Sequence, residues 1–224
     1  MVGLELLQGH EFFGNLSEDE QQQILSNLTK VSYSKGERVV KNGEFVTHAI
    51  FVVKGFLKIH SEFKNKTVIL DVCGSGSFTG LSSIIGIEKH TFDISSIDDS
   101  VIYLINIEII RKMIEKNGTF ARTLVKYMNN RILHYFEHNL LMLTQSNIHG
   151  RLANTIMYLA QNVFLSNNFD LLLSRKELSQ LSNISRENVI KVLYEFDSEG
   201  LIKLNGQQIH VLNPEQLKHL AKTC

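Results

Sequence analysis

Arg186, Glu187, Asn188 and Lys191 are the side chains in this sequence best placed to do chemistry. A guanidinium, a carboxylate, an amide and an ammonium within six residues offer hydrogen-bond donors and acceptors, which is recognition chemistry. They lie in SRKELSQLSNISRENVIKVLYEFDSEG, residues 174–200. On a helix opened by Ser185, the apolar Val189, Val192, Leu193 and Phe196 face inward at 3- and 4-residue spacing. The four polar side chains are then left outside, near the helix N-terminus. In a helix-turn-helix those positions meet the base edges of the DNA major groove.

The flanking residues supply the elements that must hold that helix. Ser174 with Glu177 is an S-x-x-E capping box, so a first helix should begin at Arg175, with Leu178 and Leu181 on its apolar face. Asn183 stands at the reversal, a residue that tolerates the left-handed conformation ending a helix. Gly200 closes the second helix. Leu201–Lys203, Asn205-Gly206 and Ile209–Leu212 then read as a hairpin with a two-residue type I′ turn. Helix, turn, helix and hairpin make a winged helix-turn-helix. The competing reading is an ordinary helical hairpin with its charges facing water.

Upstream, Leu16-Ser17-Glu18-Asp19-Glu20 opens a short helix reaching about Leu28. From Val31 to Asn106 the chain turns to short β-rich runs broken by glycine. Lys35-Gly36-Glu37 and Asn42-Gly43-Glu44 are turns around Val39-Val40, and Ala49–Val53, Phe56–His60, Thr67–Val72, Phe92–Ile97 and Val101–Ile105 are strands. Strands at near-regular spacing with glycine turns indicate a sandwich or barrel. Thr119–Ser146 contains no Gly or Pro and carries two apolar stripes. Met128, Ile132, Tyr135, Asn139 and Met142 recur at spacings of 4, 3, 4 and 3; Leu133, Phe136, Leu140 and Leu143 at 3, 4 and 3. A helix apolar on two sides needs two partners. The second stripe is assigned to the chain's own β-domain and the first, with coiled-coil spacing, to a symmetry-related helix; burial of the whole helix in a monomer core is the alternative. Ser146-Asn147-Ile148-His149-Gly150 breaks the pattern, and Arg151–Phe164 is a further helix. The domains are therefore 1–118, 119–146 and 147–224.

Composition narrows the class without deciding it. The chain has 224 residues, room for two modest domains, and its 23 basic and 23 acidic side chains cancel. Residues 148–224 hold eight Lys/Arg against seven Asp/Glu, so any DNA contact rests on local placement of charge. Cys73 and Cys224 form neither a disulfide framework nor a metal-ligand set; Cys73, among apolar neighbours, reads as packing rather than a redox sensor. The most apolar run, Val101–Ile110, is too short to span a bilayer and contains Asn106 and Glu108. The N-terminus lacks the pattern of a secretory signal. A cytoplasmic protein without membrane contact is expected. Nine histidines include His10, His48, His60 and His90 in the N-terminal half, but no pairing motif makes them haem ligands, so no cofactor is assigned. No carboxylate pair or glycine-flanked nucleophile has catalytic spacing, and no catalytic or metal-binding residue is proposed.

The order of these parts resembles the cyclic-AMP receptor/fumarate-nitrate regulator (Crp/Fnr) family across almost the whole chain. The resemblance is carried by LSRKELSQLSNISRENVIKVLYEFDSEGLI with its Ser185-Arg186-Glu187, by Ile148-His149-Gly150-Arg151-Leu152-Ala153, and by Gly76-Ser77-Phe78-Thr79-Gly80. It implies an α+β protein: an N-terminal β-roll sensor (a cupin-like double-stranded β-helix), a long dimerisation helix, and a C-terminal winged helix-turn-helix. By the same resemblance Arg186 donates to guanine, Glu187 accepts from cytosine, and Lys191 stands where the family has a second base-reading arginine. A lysine lacks the planar fork, so readout there should be looser. Ser174, Arg175, Ser185, Asn188, Asn205 and Gly206 match phosphate-contacting positions. The effector pocket would comprise Gly80, Leu81, Ser82, Thr91, Phe92, Phe136 and Glu137, and it departs from the cyclic-nucleotide pattern. Leu81 replaces a ribose-binding Glu, Thr91-Phe92 replace the phosphate-gripping Arg and its small neighbour, and Phe136 and Glu137 replace polar purine contacts. The cysteine cluster of the oxygen-sensing branch is also missing. The implied function is a homodimeric transcription regulator that reads an inverted repeat in double-stranded DNA. It would be controlled by an unknown small-molecule effector other than cyclic AMP and would engage RNA polymerase if it activates. The rival is a β-roll/winged-helix protein-interaction module without specific DNA binding.

Overall fold

A computed structural model describes all residues except 1–4, 6, 12, 65, 82, 83, 85–87, 145, 146 and 224, and the side chain of Leu143. Ser82 of the expected pocket and Ser146 of the expected boundary lie outside the described residues. The chain divides into two compact units, Met1–His60 with Val72–Ile132, and Ser61–Asp71 with Leu133–Cys224.

In the first unit, α1 (Glu18–Leu25) starts at Ser17, whose hydroxyl accepts from Glu20 N at 3.3 Å while the Glu20 carboxylate accepts from Ser17 N at 2.8 Å. It stops three residues short of the expected Leu28, because Leu28 already belongs to β1 (Leu28–Tyr33). Two four-stranded sheets follow. One has the order β1-β8-β3-β6, built from β1, β3 (His48–Lys54), β6 (Phe78–Thr79) and β8 (Ser100–Asn106). The other is β2-β7-β4-β5, from β2 (Arg38–Val40), β4 (Leu57–Phe63), β5 (Lys66–Cys73) and β7 (Asp93–Ser96), with β4 from Ser61 onward and β5 up to Asp71 counted in the second unit. Strand β3 is apolar on both faces, as its uninterrupted Ala49–Val53 run requires. Ile50 and Val52 face Leu57 and Ile94 of the opposite sheet. Ala49 and Phe51 join Ile24, Phe120 and Leu124 in a second cluster under the helices. A side-chain period of two sends alternate residues into these two cores.

The apolar run 101–110 holds two elements. Asn106 ends β8, and its side chain accepts from Glu108 N at 2.9 Å, so the same residue caps α2 (Ile107–Lys116), a helix not read from the sequence. The long helix α3 is unbroken over Gly118–Thr144. Its burial corrects the assignment of the two stripes. Phe120 and Leu124 are buried, Tyr127 and Met128 pack against the same core, and Met142 is only 6% exposed. Met128 and Met142 therefore face their own chain, while Tyr135 and Asn139 are half-buried and Asn139 donates to Tyr135 O at 2.8 Å. The unpartnered apolar side is Val125, Ile132, Leu133, Phe136 and Leu140, the last three 51%, 61% and 60% exposed. Spacing alone marked two stripes; only packing shows which one the first unit occupies.

The second unit opens with α4 (Ile148–Tyr158), capped by Asn147. Gly150, read as part of a break, is buried within the helix, which starts three residues earlier than expected. A π-helical turn, Leu159–Val163, follows directly. Beyond it are β9 (Asn168–Asp170), α5 (Arg175–Ser182), α6 (Arg186–Ser198), β10 (Ile202–Asn205), β11 (Gln208–Val211) and α7 (Pro214–Thr223). The expected hairpin is thus part of a three-stranded sheet, β10-β11-β9. The division into units falls within α3 rather than at 146–150, and Asp71 accepts a hydrogen bond from the Tyr158 hydroxyl within the second unit.

His138 is buried in this unit, stacked on the Tyr158 ring at 4.4 Å, with Nδ1 3.2 Å from Asn154 Nδ2. Burial pushes its pKa down to about 4, opposed in part by the nearby Leu181 backbone. Because the folded value lies below the ordinary 6.5, the unfolded chain takes up the proton first as pH falls. The stabilisation is therefore complete above about pH 6.5 and lost on descent toward pH 4, reaching on the order of 2 kcal/mol at pH 5. Melting temperatures at pH 7 and pH 5 should differ, and His138→Phe, which keeps the stack but cannot titrate, should shrink the difference. An equal drop in the variant would contradict a neutral buried imidazole.

Candidate nucleic-acid interface

The helix pair is held as its sequence requires. Ser174 Oγ accepts from Glu177 N at 3.2 Å, and Glu177 Oε2 accepts from Ser174 N at 2.9 Å, which closes the capping box. Asn183 adopts φ 52° and ψ 42°, the left-handed conformation that reverses the chain. Its carbonyl accepts from Arg151 Nη1 at 3.0 Å, an anchor from α4 that sequence reasoning missed. Ser185 Oγ then accepts from Asn188 N at 3.2 Å and starts α6. Leu178 and Leu181 of α5 and Val189, Val192, Leu193 and Phe196 of α6 are all buried.

That packing leaves Arg186, Glu187 and Lys191 exposed on one side of α6, with Asn188 half-buried beside them. The Glu187 carboxyl is held below the usual carboxylate range by its own backbone N–H, then by a hydrogen bond from Ser185 and the charge of Arg186. It is therefore a charged acceptor at neutral pH. Arg175 is half-buried, and desolvation lowers its pKa from the ordinary guanidinium value. Lys191 Nζ lies 3.7 Å from Glu195 Oε1, and Glu195 Oε2 lies 2.8 Å from His149 Nε2. Neither Glu195 nor His149 was singled out for this site from the sequence, since their meeting depends on how α4 crosses α6.

The wing differs in register from the sequence expectation. Asn205 pairs with Gln208, so the turn residues are Gly206 and Gln207 rather than Asn205 and Gly206. Gly206 has φ +63° while Gln207 is not among the residues with positive φ, the combination of a type II′ turn in place of type I′. Asn205 remains exposed at the strand end, next to exposed Gly206. Asp197 ties the wing to the recognition helix, accepting from Leu204 N at 2.9 Å and pairing with Lys203 Nζ at 3.4 Å.

In the first unit, Gly80, Thr91 and Phe92 do come together. With Ile59, Thr79, His90 and Ile94 they line a cleft of about 40 Å³, small beside the roughly 300–1,000 Å³ of ligand pockets. Leu81 does not line it; the side chain is 5% exposed and belongs to the apolar core. Phe136 and Glu137 are not among its lining residues; both lie on α3 in the second unit. His90 was not expected in the cleft. Burial lowers its pKa, against the opposing charge of Glu44. Cys73 is buried, with Arg131 Nη2 3.1 Å from its sulfur. Among the described residues no three His, Cys, Asp or Glu side chains gather as metal ligands, and no helix is long and apolar enough to cross a membrane.

A two-sheet N-terminal domain, a long helix and a winged helix-turn-helix with a polar reading edge define a DNA-binding regulator. Comparison with known proteins agrees. Residues 30–117 match the cyclic nucleotide-binding domain and residues 150–220 the Crp-like helix-turn-helix domain. The CRP-like cAMP-activated global transcriptional regulator of Mycobacterium tuberculosis is 24% identical over 204 residues, covering 89% of this chain and 91% of that protein. The fumarate and nitrate reduction regulatory protein of Vibrio cholerae is 23% identical over 208 residues, covering 91% of this chain and 82% of that protein. FixK2 from Bradyrhizobium japonicum shares the fold, with a TM-score of 0.80 at 21% identity, over 88% of this chain and 98% of that one. The chain belongs to the Crp/Fnr family and is a DNA-binding transcription regulator of that type.

Proposed function

We propose that this protein is a cytoplasmic homodimer that reads an inverted-repeat operator and responds to a signal other than cyclic AMP. The observation that carries the reading is the exposed trio Arg186, Glu187 and Lys191 on a recognition helix whose other side is wholly buried. Arg186 supplies the bidentate donor pair suited to guanine, and Glu187 the acceptor suited to the cytosine amino group. Ser174, Arg175, Ser185, Asn188, Asn205 and Gly206 set the register through phosphates. The two-fold axis runs along α3, where the exposed Val125, Ile132, Leu133, Phe136 and Leu140 stripe awaits a second copy.

The signal is assigned by chemistry. A cyclic phosphate taken out of water needs a cation or several donors around it. Among the described residues, the cleft lined by Thr79, Gly80, His90, Thr91 and Phe92 has no Lys or Arg in its lining. The names of the relatives divide between a cAMP-activated regulator and a fumarate and nitrate regulator, so relatedness does not choose for this chain. A cleft of about 40 Å³ is also too small for a cyclic nucleotide, which supports a different signal; no cofactor enters this reading. RNA polymerase is the further partner if the regulator activates.

Four outcomes are expected. Phe136→Glu should turn the dimer into a monomer by light scattering at micromolar concentration; a dimer that survives would remove α3 from the interface. Arg186→Ala should lower specific affinity by about 1–3 kcal/mol per half-site and relax one G·C preference. Arg175→Ala should weaken all sequences alike and flatten the salt dependence. A competition assay showing unchanged sequence preference in Arg186→Ala would favour a protein-binding wing. Calorimetry should show no micromolar binding of cyclic AMP linked to operator affinity; a tenfold gain in operator affinity on adding it would overturn the assignment.

A further inference from the structure

Four side chains connect the first turn of α4 to the reading edge of α6. Asn147 Oδ1 accepts from His149 N at 2.8 Å and lies 3.0 Å from His149 Nδ1. The His149 ring sits 6.1 Å from the Phe196 ring, and its Nε2 reaches Glu195 Oε2 at 2.8 Å. The other Glu195 oxygen faces Lys191 Nζ at 3.7 Å. Exposure rises along the series, from 37% and 34% at His149 and Glu195 to 67% at Lys191. The ordered end of the network is therefore about one-third exposed, and the far end is open to a ligand. Asn147 Oδ1 and Glu195 Oε2 are both acceptors, so the two His149 bonds coexist only on a ring that carries both protons; a singly protonated ring with its proton on Nε2 keeps the bond to Glu195.

A lysine ammonium is a compact charge on a flexible stem and cannot set its own direction as a guanidinium fork does. An isolated surface ion pair would restrain it little, because two long side chains must be ordered together. Here one of the two is already ordered, since the His149 ring holds Glu195 while Asn147 Oδ1 caps the helix through the His149 backbone N–H. Lys191 alone has rotamer freedom left to lose. We propose that Glu195 is a positioning residue that aims the Lys191 ammonium at one base, giving a lysine the directional readout that its own geometry lacks. The proposal rests on the reading that Lys191 meets a base edge. Glu195 itself touches no DNA; its carboxylate acts through Lys191.

The test is selection of bound DNA from a randomised operator pool by the full-length protein and its variants, with thermal melts to confirm folding. Lys191→Ala should flatten the preference at one base pair of each half-site. Glu195→Ala should lower preference at that same pair by about fivefold and leave the pairs read by Arg186 and Glu187 unchanged. The double variant should be no flatter than Lys191→Ala alone, as expected for residues acting in series. His149→Ala should shift the same position in the same direction, less strongly. Glu195→Gln, which keeps an oxygen for His149 and Lys191, should restore part of the preference. A merely structural role would instead weaken every position together. If Lys191→Ala flattens one position and Glu195→Ala leaves it intact, the positioning role is wrong while base reading by Lys191 stands. If Lys191→Ala flattens nothing, base reading by Lys191 fails and the positioning role falls with it.

Discussion

The reading edge depends on one reversal of the backbone, at Asn183. Two helices can present a polar N-terminus and share an apolar interior only if the chain turns sharply between them. Asn183 achieves this in the left-handed conformation, and Arg151 from α4 holds its carbonyl. The Ser174–Glu177 box fixes where α5 begins and the Ser185 cap fixes where α6 begins. Between those limits the rotation of α6 follows from the burial of Val189, Val192, Leu193 and Phe196. Arg186, Glu187 and Lys191 are outside because nothing else is possible once those four are inside.

The wing and α4 are both tied to the C-terminal part of α6. Asp197, near the C-terminus of α6, binds the first strand of the hairpin through Leu204 N and Lys203. Glu195 binds the first turn of α4 through His149. Neighbouring positions on one helix thus tie it to both flanking elements, so a displacement of α4 relative to the hairpin would be felt at the recognition helix. In the first unit the sheet containing β3 is apolar on both faces, and Leu81 is spent on the core. A cleft of about 40 Å³ is what that packing leaves.

Local chemistry made much of this legible beforehand. Capping boxes, the Asn183 reversal, the Ser185 cap and the period of α6 depend on residues within a few positions of one another, and all stand where spacing put them. The failures have a common cause. Asn106 reads locally as a polar interruption of an apolar run, although it both ends β8 and caps α2. Gly150 reads as a breaker, yet it is buried inside α4. The Asn205-Gly206 signal identified the hairpin but placed its turn one residue early, because cross-strand pairing of Asn205 with Gln208 sets the register.

The succession of β-rich region, long helix and winged helix-turn-helix, and the identity of the outward side chains on its second helix, follow from periodicity and caps read within one segment, whereas α2, β9 and α7 do not. Tertiary structure alone decided which stripe of α3 is covered, because Met128 and Phe136 are equally apolar and only the neighbouring core separates them. It also decided that Leu81 packs inward while Thr91 and Phe92 line a cleft, and that His149 meets Glu195 across 46 residues. Those outcomes depend on the crossing of elements distant in sequence, and no local pattern encodes the angle at which two helices meet.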